Sequence, residues 1–248
     1  MSTAAPPVPE ASGSSSSVGS LFGALFSPKP TFESIVRQPS WILPLLLICI
    51  LGCTTTYLYG QRVGWRAFMQ KQIESSSRTQ NMPQDQKDKI IDQQTKFAPI
   101  IGYVGTIVFS FGGGALVAAV LMGAFNLLSG SKVPFKTSFA IVAYAWMPLV
   151  IAQLLGLVIL FIKDPATIDI QNLVASNGGA FLSDEAPKWL LSLCTSLDVF
   201  SFWSMALMGV GFSATNPRKL SFGKAFGTVI TVWLIYVVVK VGLAAAFS

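Results

Sequence analysis

The chain contains no histidine and only three cysteines among its 248 residues. The missing histidine removes the commonest general base and the commonest metal ligand at neutral pH. Cys49, Cys53 and Cys194 all lie inside apolar runs, so they form neither a CxxC site nor a disulfide framework. Cys49 and Cys53 are four apart on one helix face and read as small packing residues. Charge is also scarce, at 11% of residues against roughly 25% in a soluble domain. The net charge of +6 is spread over short loops with no basic block, which argues against a nucleic-acid partner. No nucleophile elbow, phosphate loop, HExxH pair or dinucleotide fingerprint is present. Asp184 and Glu185 precede an apolar run and read as acids stabilising a helix N-terminus rather than as an acid–base pair. The expectation is a non-enzymatic protein with no catalytic residues, no cofactor and no metal.

What the chain has in quantity is apolar sequence, 52% of its residues. Five runs are long enough to cross a bilayer core, which takes about 20 helical residues. They fall at about 41–60, 105–128, 137–162, 189–213 and 225–247. The expected fold class is all-α, a polytopic transmembrane helix bundle of five spans with short interfacial amphipathic helices. The uncharged stretch from Phe97 to Ser131 exceeds one upright crossing. It reads as a single helix that starts outside the bilayer, with Pro99 in its early turns. The triple glycine Gly112–Gly113–Gly114 is the place where it could instead break or re-enter. Pro44 and Pro148 lie inside spans, where a missing backbone donor favours a kink, and a bent third span is expected. Trp41 and Trp189 read as interfacial anchors.

The remaining segments divide simply. Residues 1–20 are rich in Ser, Pro, Ala and Gly and read as a disordered tail without the features of a cleavable signal. Residues 21–40 read as an interfacial segment, with Leu21, Phe22, Leu25 and Phe26 and then Phe32, Ile35 and Val36 at helical spacing. The transmembrane domain then occupies 41–247. In the loop 61–96, Trp65, Phe68, Met69 and Ile73 share one helical face, and a further helix is expected near Pro83. The connections 129–136 and 214–224 hold five basic residues and no acids, whereas 163–188 holds four acids. The full count, seven basic residues inside against nine outside with seven of those in 61–96, decides nothing; weighting the tight connections, with 61–96 taken as a compact element, the expectation is an N-terminus in the cytoplasm and a C-terminus outside.

One charge is out of place. Asp198 sits alone in the fourth run, and Lys240 is the one charge in the fifth. Each lies 21 residues from Lys219 in the turn between those runs, so an antiparallel hairpin puts them at nearly the same depth. An ionisable group at membrane depth costs about 2.5–3.5 kcal/mol on insertion scales and usually faces a partner. Asp198 and Lys240 are therefore a candidate intramembrane ion pair. Two alternatives stay open. Asp198 could bond hydroxyls or backbone nearby, with Thr195, Ser196 and Ser201 in reach, or it could serve transport chemistry. Small residues form stripes at Gly52, Thr56 and Gly60, at Ala115, Ala119 and Gly123, and at Gly223, Gly227 and Thr231. Such stripes allow close helix packing, within the bundle or in a homo-oligomer.

Several segments in order, LFSPKPTFESIVRQPSWILPLL, SRTQNMPQDQ, YAWMPLV, SNGGAFL and SLDVFSFWSMALMGVGFS, resemble the Yip domain family, proteins related to Ypt/Rab-interacting proteins. The resemblance covers about residues 21–247 and is closest to the bacterial branch. The matching positions are Pro39, Trp41, Pro44, Pro148, Asp198, Phe200 and Trp203, the last three in an acid–aromatic–tryptophan pattern. The resemblance implies a five-span protein of the bacterial cytoplasmic membrane that organises other components. Its partners would be membrane lipids and other membrane proteins, a transport or export complex among them. Eukaryotic members are implicated in vesicle traffic and bind prenylated small GTPases, a role with no residue-by-residue match here. The leading expectation is a membrane scaffold or accessory subunit; the alternative is a small transporter or channel built on Asp198.

Overall fold

The computed structural model describes residues 17–74, 79, 81–168, 170–183 and 186–246. The helices are α1 (Ser17–Phe26), α2 (Pro28–Arg37), α3 (Ile42–Arg62), α4 (Trp65–Glu74), α5 (Gln84–Ile107), α6 (Gly114–Ser129), α7 (Phe135–Ala145), α8 (Met147–Ile162), α9 (Lys188–Ser196), α10 (Val199–Thr215) and α11 (Phe222–Ala246). A π-helical turn, Val108–Gly113, joins α5 to α6. Among the described residues four helical stretches are long and apolar enough to cross a membrane: α3, α5–α6, α7–α8 and α11. The fifth apolar element is the 17-residue α10. The protein is thus an all-α polytopic bundle. Its apolar helices overlap the five runs of the sequence, but the fourth run is divided between α9 and α10.

The long second run is one continuous helix, Gln84–Ser129, so the helix expected near Pro83 and the span are a single element, and Pro99 falls inside α5 instead of in its early turns. The glycines do not break it. They sit at the end of the π turn, where Gly114 lies under the rings of Trp146 and Phe139. The third span bends as expected, at Trp146 (φ −82°, ψ 3°), with Pro148 in the first turn of α8. Pro44 does not kink its span. It falls in the first turn of α3, where the missing N–H has no intrahelical acceptor anyway.

The centre of the bundle is α7, buried at every position from Thr137 to Ala145. Its fully buried Ser138 hydroxyl donates to the carbonyl of Ala118 at 2.7 Å. Around it pack Leu45 and Ile48 of α3, Leu121 and Phe125 of α6, and Met208 and Phe212 of α10. The rings of Phe125 and Phe212 stack with centroids 4.2 Å apart. Trp41 lies against Phe139, centroids 5.0 Å apart. One end of the bundle therefore holds the start of α3, the α6–α7 and α10–α11 turns, and α1–α2. The other holds the end of α3, α4, the first half of α5, the described residues of the connection 163–187 and α9.

Three expectations are corrected by this packing. The tail does not extend to residue 20, because α1 begins at Ser17 and its Leu21 and Ala24 enter the core; residues 1–16 lie outside the described residues, as do Asp184 and Glu185. Helix α2 is not merely a surface element: Phe32 is fully buried against α7 and α10, and Ile35 is also buried. The apolar stripe of α1 that stays exposed is Val18, Phe22 and Phe26. The small-residue stripes also divide. Gly52 and Thr56 face Thr106 of α5, and Gly60 lies under Trp65, so this stripe packs within the bundle. On α6 the buried face is Gly114, Ala118, Leu121 and Phe125 instead of Ala115, Ala119 and Gly123, because the large side chains of that face meet α7. Gly223 and Gly227 meet no side chain.

Gly211 is where α2, α7 and α10 converge. A Cβ there would fall 2.9 Å from a ring carbon of Phe32 and closer still to Ile141 Cγ2. Gly211→Val should therefore destabilise the protein by about 1–3 kcal/mol through overpacking. Gly223→Ala, in open space, should change stability by less than about 0.5 kcal/mol. Thermal unfolding in detergent, followed by tryptophan fluorescence, compares the two; equal melting points would contradict this packing.

Candidate functional site

The fourth apolar run breaks at Leu197 and Asp198. Leu197 ends α9 (φ −87°, ψ 73°) and Asp198 is extended (φ −114°, ψ 134°) before α10 begins. A break frees backbone groups that need partners where water is absent. A second extended piece supplies them. Val199 N–H donates to the carbonyl of Ser176 at 3.1 Å, and Gly178 N–H donates to the carbonyl of Leu197 at 3.3 Å, forming a single antiparallel bridge between Asn177 and Asp198.

Asp198 caps α10. Its Oδ2 accepts from the Ser201 N–H at 2.7 Å, and its Oδ1 accepts from the Ser176 hydroxyl at 2.5 Å. A carboxylate at a helix N-terminus also meets the positive end of the helix dipole. Lys240 reaches the other side of the break. Its Nζ donates to Ser196 Oγ at 3.0 Å, to the Ser192 carbonyl at 3.3 Å and to Thr195 Oγ1 at 3.4 Å. This is the last turn of α9, where carbonyls lack helical partners and the dipole favours a cation.

The expected Asp198–Lys240 ion pair is therefore replaced. The two charges lie near the same level, but each is held by the end of a different half-helix. Among the described residues the ion pairs are Arg37–Glu33 and Arg66–Asp92. The hydroxyls of Thr195 and Ser196 serve Lys240, and Ser201 serves Asp198 through its backbone. The unforeseen partner is Ser176, brought in by the SNGG turn. Depth is set by helix length: α10 has 17 residues, about 25 Å of rise in a core about 30 Å thick. Asp198 thus lies at the end of α10 opposite the α10–α11 turn.

Beside Asp198 is a cavity of about 350 Å³, bounded by Gly52 and Thr55 of α3, Gln153 and Gly156 of α8, Leu173 and Asn177. Gln153 Oε1 is buried without a hydrogen-bond partner. Asn177 accepts from the Gly179 N–H and donates to Asn172, each at 2.9 Å. The lining can hold water or a small polar guest. Its hydroxyl–carboxylate contact, Ser176 to Asp198, belongs to the helix break, and among the described residues no three His, Cys, Asp or Glu side chains gather.

The other motif positions serve the frame. Pro44 and Pro148 are fully buried, Trp203 packs on the main core, Phe200 is half-buried, and Pro39 lies between α2 and α3. Thus Asp198, Phe200 and Trp203 cluster at the start of α10, while Trp41 and Pro44 belong to the opposite end. A family model described as the Yip1 domain matches residues 22–243.

The chain belongs to the Yip1 domain family. It is similar to membrane protein YknW of Bacillus subtilis (strain 168), with 24% identity over 208 residues covering 83% of this chain and 82% of that protein. No solved structure matches this chain. For this Yip1-family protein the segment with the most distinctive chemistry, around Asp198, is a helix break stabilised by charge.

The two arms of the break should act independently. Asp198→Ala should cost about 0.5–2 kcal/mol as a lost N-cap, and Asp198→Asn, itself a good cap, much less. Lys240→Met should add to Asp198→Ala within about 0.5 kcal/mol in the double variant. Unfolding free energies of the single and double variants provide the check. A coupling well above that value would mean the two charges interact directly.

Proposed function

We propose that this Yip1-family membrane protein is a non-enzymatic scaffold or accessory subunit that docks a helix of another membrane protein against α11. The observation that carries this reading is the bareness of that helix. Only 11% of the apolar stretch of α11 is buried, against 39% for α7–α8. Its exposed side carries Gly223, Gly227 and Thr231 in successive turns and Gly242 farther along, with open space over each glycine. In lipid, where apolar burial gives helices little reason to associate, small residues let backbones approach and make van der Waals contact. A non-enzymatic role is supported by Asp198, the acid of the apolar runs, having one oxygen engaged in capping α10 and the other held by the Ser176 hydroxyl.

The proposed setting is the bacterial cytoplasmic membrane with the N-terminus inside. It is supported by the five basic residues of 129–136 and 214–224, which the bundle gathers at one end with α1 and α2. The transporter reading has one observation in its favour, the polar cavity beside Asp198. It is the weaker reading because the carboxylate there is already committed to a helix end.

A photo-crosslinker at Thr231 should yield a defined adduct with one membrane protein in native membranes. Gly227→Leu should abolish that adduct, while Val239→Phe, on another exposed face of α11, should leave it intact. Adducts only between copies of this chain would assign the face to a homo-oligomer. Loss of substrate flux in Asp198→Asn liposomes, with α11 variants inert, would favour the transporter reading.

A further inference from the structure

A larger cavity than the one at the helix break lies elsewhere in the bundle. It measures about 920 Å³, near the upper end of the roughly 300–1,000 Å³ usual for ligand pockets. It lies between α4 and α5, with Thr56 of α3 behind it. Helix α3 ends at Arg62, and the chain turns back at Gly64, whose φ of +85° suits glycine. That turn folds α4 against α5, where Arg66 pairs with Asp92. The Trp65 indole is wedged against Gly60 and Gly102, and Tyr59, Trp65 and Phe68 form a ring cluster with centroids 5.9–6.2 Å apart. Tyrosine and tryptophan at the end of a span mark the membrane–water interface.

The cavity changes character along α5. At its top are the amides of Gln93 and Gln94, and below them Phe97, Ile101 and finally Thr106. From Gln93 to Thr106 the helix rises about 20 Å, and from Phe97 to Thr106 about 14 Å, close to half of the ~30 Å hydrocarbon core. Phe97 and Ile101 are 59% and 67% exposed while lining the cavity. The cavity is thus open on that side, continuous with the exposed apolar run Ile100, Val104, Ile107 and Val108. Exposed Lys89 and Lys96 lie one turn to either side of Gln93. An apolar slot one leaflet deep, open sideways to lipid and rimmed by amides and cations at headgroup level, matches one ligand chemistry.

We infer that this cavity holds one acyl chain of an anionic phospholipid, with its phosphate at the rim formed by Gln93, Lys89 and Lys96. The ring cluster and α4 wall the chain from the side facing away from α5. The inference deepens the lipid contact expected of a membrane scaffold and rests on that membrane placement, not on the α11 docking face. Substitutions on α11 leave it untouched, so the two can fail separately.

The test uses the full-length protein in phosphatidylglycerol–phosphatidylethanolamine vesicles containing phosphatidylglycerol with a diazirine on its acyl chain. After irradiation, adducts are mapped by mass spectrometry. Adducts should concentrate on α4 and on 93–106, and Ile101→Trp or Met69→Trp, which fill the cavity, should reduce them about tenfold. Ile100→Trp, one residue away but outside the lining, should not. Phosphatidylcholine carrying the same diazirine should label the site less. Uniform labelling of all exposed apolar faces, or equal labelling in Ile100→Trp and Ile101→Trp, would reduce the cavity to ordinary bulk lipid contact and overturn the inference. So would a crosslink from Phe97 to a second copy of this chain.

Discussion

Every polar group at membrane depth must find its partner within the chain or in a water-lined cavity, because hydrocarbon offers none. The fourth span bears this constraint most heavily. It is interrupted by an acid, and an interruption exposes both charge and backbone. The chain answers with a short extended piece, Ser176–Gly178, that pairs with the break, and with two helix ends that each hold a charge of the opposite sign to their own dipole. Buried ion pairs often recover little more than their desolvation cost. Separating Asp198 and Lys240 onto two helix termini gives each several hydrogen bonds without bringing both charges into one dry contact.

The same constraint organises the rest. Helix α7 can be buried all round because its hydroxyl Ser138 reaches a carbonyl of α6. Pro44 and Pro148 fall in first turns, where no helical hydrogen bond is lost. The triple glycine ends a π turn rather than a helix, so the backbone stays bonded through the longest span. The glycines that face neighbours, such as Gly211 under Phe32, trade local propensity for backbone approach, while those of α11 face outward.

The two halves of the molecule differ in function-bearing character. One end is closed, with α1 and α2 plugging the bundle through Phe32 and Ile35. The other is open and carries the small polar cavity beside Asp198 and the large apolar one beneath α4. Family membership in the Yip1 domain covers both ends, so neither is an appendage to the family architecture.

Much of the architecture could be read in the sequence. The five apolar runs, the start of α5 at Pro83, the bend near Pro148 and the shared level of Asp198 and Lys240 all come from local spacing, since run length and helical rise are properties of the chain alone. Other features depend on which surfaces meet. Ser176 lies 22 residues from Asp198, and no spacing rule links a loop serine to a distant cap. The stripe Ala115, Ala119 and Gly123 looks equivalent to its neighbours in sequence, but α6 turns its heavier face to α7. Likewise the amphipathic spacing of Phe32 and Ile35 suits a membrane surface and a core equally, and only the space opened by Gly211 decides for the core. Local pattern along the chain was enough to set the membrane as solvent, the number of apolar runs and the places where charge would be costly. How that cost is met belongs to the tertiary structure, because satisfaction of a buried charge is a property of neighbours distant in the chain.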